Sequence, residues 1–111
     1  MNMSEQKEKS FDRLEPLATL PKSLEEYKTL RAQLKRSQRN LMGKDLTNMN
    51  GYLTALEGYL EPVKSIVIYP VSIILQKLSW VRTWDATRYD LITKIDEFIV
   101  AIDREIKSME S

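Results

Sequence analysis

Apolar side chains are densest along residues 62–84, PVKSIVIYPVSIILQKLSWVRTW, and the rest of the chain has to be arranged around covering them. Taken as a helix from Val71, this stretch has two apolar stripes. Val71, Ile74, Leu75, Leu78 and Val81 recur at three and four residues and share one side. Ile73, Trp80 and Trp84, at spacings of seven and four, lie on nearly the opposite side, and Ser72, Gln76, Ser79 and Thr83 make a polar strip on one flank. A single apolar face is enough to seat a helix on a core. A helix with two is either central in its own domain or shared with a partner.

The pattern predicts three further segments. Ser23 with Glu26 three residues later forms a capping box in front of a helix whose core stripe is Leu24, Tyr27, Leu30, Leu34 and Leu41, with Gly43 as its stop. A second helix over about 45–60 takes Asp45 or Thr47 as its cap and Leu46, Met49, Leu53, Leu56 and Leu60 as a heptad-like core. Opposite those leucines lie Gly51, Ala55 and Gly58. Glycine inside a helix is unfavourable by about 1 kcal/mol relative to alanine, so this seam is expected to admit a closely packed neighbour. Tyr52 and Tyr59 sit between the two faces. The last helix, capped by Asp85 or Thr87, has Leu91, Ile95, Phe98, Ile102, Ile106 and Met109 in one stripe, widened by Ile92 and Ile99. Asp90 to Lys94 and Asp103 to Lys107 are acid-before-base pairs at helical spacing.

Between the second helix and the apolar one, Pro62 ends or kinks the chain. Val63 and Val67 continue the phase of Leu56 and Leu60, which favours a kinked helix, whereas the β-branched run Ile66 to Ile68 with Tyr69 before Pro70 reads as a short strand. A lone strand would lack a pairing partner, so the helical reading is preferred. Residues 1–21 read as a flexible arm, polar over the first ten, with Pro16 and Pro21 interrupting Phe11, Leu14, Leu17 and Leu20. Residues 22–111 form one domain.

Composition narrows the class. The 111 residues are 42% apolar and 30% charged, with three Gly and four Pro, which favours an all-α fold, a small antiparallel bundle of three or four helices. The chain has no Cys and no His. Disulfide frameworks, thiolate nucleophiles, Cys/His zinc sites and histidine bases are thereby excluded. No EF-hand loop appears, and no metal or other cofactor is expected. The N-terminus is charged where a signal peptide would be apolar, and the longest uncharged run, Ser65 to Gln76, is shorter than the ~20 residues of a spanning helix. The expectation is therefore a protein without a transmembrane segment, intracellular and cytoplasmic.

Two surfaces carry candidate chemistry. Six bases and no acid occur from Lys28 to Lys44, and Lys28, Arg31, Lys35, Arg36 and Arg39 offer phosphate contacts for nucleic acid. No aromatic platform interleaves them. They also have a counterpart in the chain, since residues 22–44 carry seven bases and two acids while residues 85–111 carry four bases and seven acids. Helices of such opposite charge can pair side by side. The second surface is the tryptophan stripe, where Ile73, Trp80, Trp84 and Arg88 are hot-spot residue types, with Tyr52 and Tyr59 as a further pair. Carboxylates Asp96, Glu97, Asp103 and Glu105 face away from the apolar stripe of the last helix and suit a solvated surface rather than a catalytic cleft. The leading expectation is a non-enzymatic helical protein–protein interaction module, an adaptor, small subunit or assembly factor binding another protein or its own copy to form an oligomer. The alternative is a nucleic-acid-binding protein using the basic face.

Overall fold

The structure, a computed structural model, describes residues 20–43, 46–81 and 87–111. Nearly all of the expected arm, the cap candidates Asp45 and Asp85, and Trp84 lie outside them. Among the described residues the chain is all-α, with α1 at Leu24–Met42, α2 at Met49–Leu60, α3 at Val71–Val81 and α4 at Arg88–Glu110.

The first helix begins as its sequence requires. Ser23 Oγ accepts the Glu26 N–H at 3.1 Å, and Glu26 Oε1 accepts the N–H groups of Lys22 and Ser23 at 2.8 and 3.1 Å. These two reciprocal arms satisfy donors that a helix start leaves open. Tyr27, Leu30, Leu34 and Leu41 are buried, and Leu24 packs against the core from its edge. Ser37 is buried with them because its hydroxyl donates to the carbonyl of Gln33, one turn back, at 3.1 Å. Leu20 and Pro21 also pack inward.

The second helix departs from expectation at both ends. A 3-10 turn, Leu46–Asn48, precedes it, so Thr47 is not its cap, and Asn48 fills that position without a side-chain capping hydrogen bond. Met49, Leu53, Leu56 and Leu60 are buried as the heptad spacing requires. Gly51 and Gly58 are not a packing seam. Both are exposed, and a Cβ built at either would have open space around it. After Leu60 comes a second 3-10 turn, Glu61–Val63, with Pro62 in its first turn.

Residues 64–70 are neither a kinked helix nor a strand. Pro62 lacks the N–H that would continue the ladder, and Pro70 biases Tyr69 away from helical geometry, so the chain crosses from α2 to α3 in turns. Val63 and Ile66 point inward, linked by an Ile66 N–H to Val63 carbonyl bond of 3.0 Å. Val67, placed in the core phase by its spacing, is 95% exposed.

Interhelix bonds fix the topology. Lys28 meets Glu110, Arg31 meets Asp103 and Gln38 meets Ile92, so rising numbers on α1 meet falling numbers on α4. Likewise Tyr69 meets Glu97 and Lys77 meets Asp90, which sets α3 antiparallel to α4. With α2 packed on both α1 and α3, the four helices close in a ring. Their buried stripes, including Val71, Ile74, Leu78 and Val81 of α3 and Leu91, Ile95, Phe98, Ile102 and Ile106 of α4, meet in one core. Met109, the last position of the α4 stripe, is partly exposed where the bundle ends.

Candidate interaction face

The flank of α3 beside α4 carries Ile73, Lys77 and Trp80, spaced four and three apart. Ile73 is half-buried and Trp80 is 45% exposed, a large fraction for an indole in a folded domain. Lys77 organises this side. Its Nζ lies 4.9 Å from the centre of the Trp80 ring, and the same ammonium pairs with Asp90 on α4. The Lys77 hydrogen bond, aided by its charge, holds the Asp90 carboxyl below its ordinary value. One indole face is thus covered by a cation that α4 keeps in place, and part of the ring stays exposed.

More exposed apolar surface gathers at the same end of the bundle. The C-termini of α1 and α3 and the N-termini of α2 and α4 meet there, and Met42 and Tyr89 are 65% and 82% exposed. Met42 is one helical turn beyond Gln38, and Tyr89 is two turns before Asp96, whose carboxylate Gln38 reaches at 3.4 Å. Both therefore lie along the α1–α4 seam. With Trp80 at the α3–α4 seam, apolar residues flank the first turn of α4 on both sides.

Three of the expected partner-binding residues have other settings. Arg88 reaches across to the end of α1, its Nη1 donating to the carbonyls of Leu41 at 3.2 Å and Gly43 at 3.4 Å. It covers carbonyls that the last turn of α1 cannot bond internally. Gly43 stops α1 with φ −69°, so the closure draws on this arginine rather than on a left-handed glycine. Tyr59 is core, 1% exposed, and burial raises its hydroxyl to about 12. Tyr52 packs on the edge of the core. Trp84 falls outside the described residues. Because α3 and α4 are antiparallel, Arg88 does not extend the Trp80 face as it would on one continuous helix. Thr87 occupies the cap position of α4 without a side-chain capping hydrogen bond.

The basic face of α1 is divided. Lys28 and Arg31 pair with Glu110 and Asp103 of α4. Lys35 and Arg39 are exposed, and Arg36 is half-buried. The complementary charges of the first and last helices are thus used within one chain. Acids on α4 reach the same way. Asp90 and Asp103 engage Lys77 and Arg31 rather than forming the expected pairs with Lys94 and Lys107, and Glu97 accepts the Tyr69 hydroxyl at 2.8 Å. Tyr69 also stacks on Phe98, with ring centres 5.3 Å apart, which anchors the turns before α3 to α4. Beside it lies a groove of about 360 Å³, bordered by Ile68, Tyr69, Glu97, Val100, Ala101 and Arg104.

Lys77 was the residue to find in the sequence. It lies between Ile73 and Trp80 at the heptad spacing that defines their face, but apolar counting alone passes over a lysine whose stem packs and whose charge pairs. Among the described residues, no group of three or more acidic side chains is placed to hold a metal ion, and no helix is long and apolar enough to cross a membrane. The arrangement defines a small antiparallel all-α bundle with an apolar, aromatic end. No protein-family model, no curated protein and no solved structure matches the chain.

Proposed function

We propose that this chain is a non-enzymatic helical interaction module, an adaptor or small assembly subunit that binds another protein through the outer side of α3 and the adjoining end of the bundle. The observation that carries the reading is Trp80, exposed on a helix whose opposite side already supplies the core. Ile73 extends the apolar strip, Lys77 fixes the indole and adds a charge at its edge, and Met42 and Tyr89 enlarge the patch. Tryptophan and tyrosine are enriched among the side chains that dominate binding energy at protein interfaces.

The test is quantitative capture from cell extract with the wild-type chain and with Trp80→Glu, each first verified as helical by circular dichroism. The reading expects a stoichiometric protein bound by the wild type and lost with the variant. Identical recovery with both would contradict it. The nucleic-acid alternative has fewer cations to draw on, because Lys28 and Arg31 are paired with α4 acids. It expects heparin retention that weakens steeply with salt and disappears when Lys35, Arg36 and Arg39 are all changed to Gln.

A further inference from the structure

From the outward side of α4 we infer a second, separate contact surface, one that fits another copy of this chain in an antiparallel, two-fold arrangement about Val100. Asp96, Val100 and Arg104 are four residues apart and point away from the bundle, and all three are exposed. Val100 is 42% exposed, an apolar side chain in the middle of an otherwise polar strip. Among the described residues Arg104 has no ion-pair partner, and the one hydrogen bond of Asp96, from Gln38, is long at 3.4 Å. Asp96, Val100 and Arg104 all line one wall of the groove whose other side is Ile68 and Tyr69, so the strip borders a recess that a second copy would cover.

The order of charge along the strip selects the partner. Acid precedes Val100 by one turn and base follows it by one turn. When a second α4 lies antiparallel with its Val100 opposite the first, Arg104 of each copy faces Asp96 of the other, so both unused charges are matched twice over. A parallel arrangement would set like charges against each other and is disfavoured. The two-fold axis needs no residue from the Trp80 face, which stays available in the pair.

Sedimentation equilibrium over a wide concentration range tests this on the full chain, with Asp96→Arg, Arg104→Asp and the double exchange, all at exposed positions. The wild type is expected to dimerise reversibly and less strongly as salt rises. Each single reversal should weaken the dimer at least about tenfold, and the double exchange should restore it, because it recreates the matched pairs in opposite order. A wild type that stays monomeric throughout, or a double exchange no better than the singles, would overturn the inference. Trp80→Glu should leave the dimer constant unchanged. If it abolishes the dimer while the α4 exchanges do not, the self-contact belongs to α3 and the inference about α4 fails, while the proposed interaction role stands.

Discussion

Arg88 and Tyr59 show how residue type alone misplaces a side chain. Both are common at interfaces, yet one covers the carbonyl end of α1 and the other fills the core. Truncating Arg88 to Ala removes a charged donor from the carbonyls of Leu41 and Gly43. The expected loss is about 1–2 kcal/mol of unfolding free energy, read as a lower urea midpoint at unchanged slope. Tyr59 behaves in the opposite way. Its hydroxyl is buried and has no hydrogen-bond partner among the described residues, and such a group is unfavourable by about 1–3 kcal/mol. Tyr59→Phe should therefore leave stability unchanged or raise it by about 1 kcal/mol, and a clear drop would mean that the hydroxyl has a partner after all. The spacing of the apolar residues gave no warning of either assignment, because Arg88 acts on residues more than forty positions away and Tyr59 lies at the boundary of its helix's apolar arc.

At the scale of the elements, local chemistry was legible and relations between elements less so. The Ser23 capping box, the buried stripes of α1 and α4 and the charge match between them follow from spacing and sign, and the structure has all three. Residues 62–70 were misread because their β-branched side chains fit both strand and helix, while the two prolines permit neither. The Gly51 and Gly58 positions were misread because glycine marks either a close neighbour or simple exposure, and only the fold distinguishes them. Since each has room for a methyl group, Gly51→Ala and Gly58→Ala should each stabilise by about 0.5–1 kcal/mol, roughly additively. Thermal melts of the single and double variants check this, and destabilisation by either would restore the close-packing reading.

Over the whole molecule, a closed ring of four helices with one surplus apolar side also fixes how stability responds to pH. Glu97 is held below its ordinary 4.5 by the Tyr69 hydrogen bond, Asp90 below 3.8 by Lys77, and Glu26 below 4.5 by the backbone N–H groups of Lys22 and Ser23. Lowered values in the fold mean stability that is present above the ordinary carboxylate range and lost as pH falls through the folded values. Burial raises both Tyr59 and Tyr69 above 10.0, so their contribution is present below pH 10 and lost as pH rises through the folded values. With no His and no Cys in the chain, denaturation midpoints should be nearly flat from about pH 5.5 to about pH 9. A step near neutrality would contradict this.

Whether α3 gives one side to the core and leaves the other free is tested most directly by paired denaturation of Trp80→Glu and Leu78→Ala. Leu78, fully buried in the same helix, should lose about 2–5 kcal/mol on truncation. Trp80→Glu should cost clearly less than Leu78→Ala, since nearly half of the residue is already exposed and its polar replacement can stay in water. If glutamate at position 80 is as damaging as alanine at 78, the indole belongs to the core and no side of α3 is left for a partner.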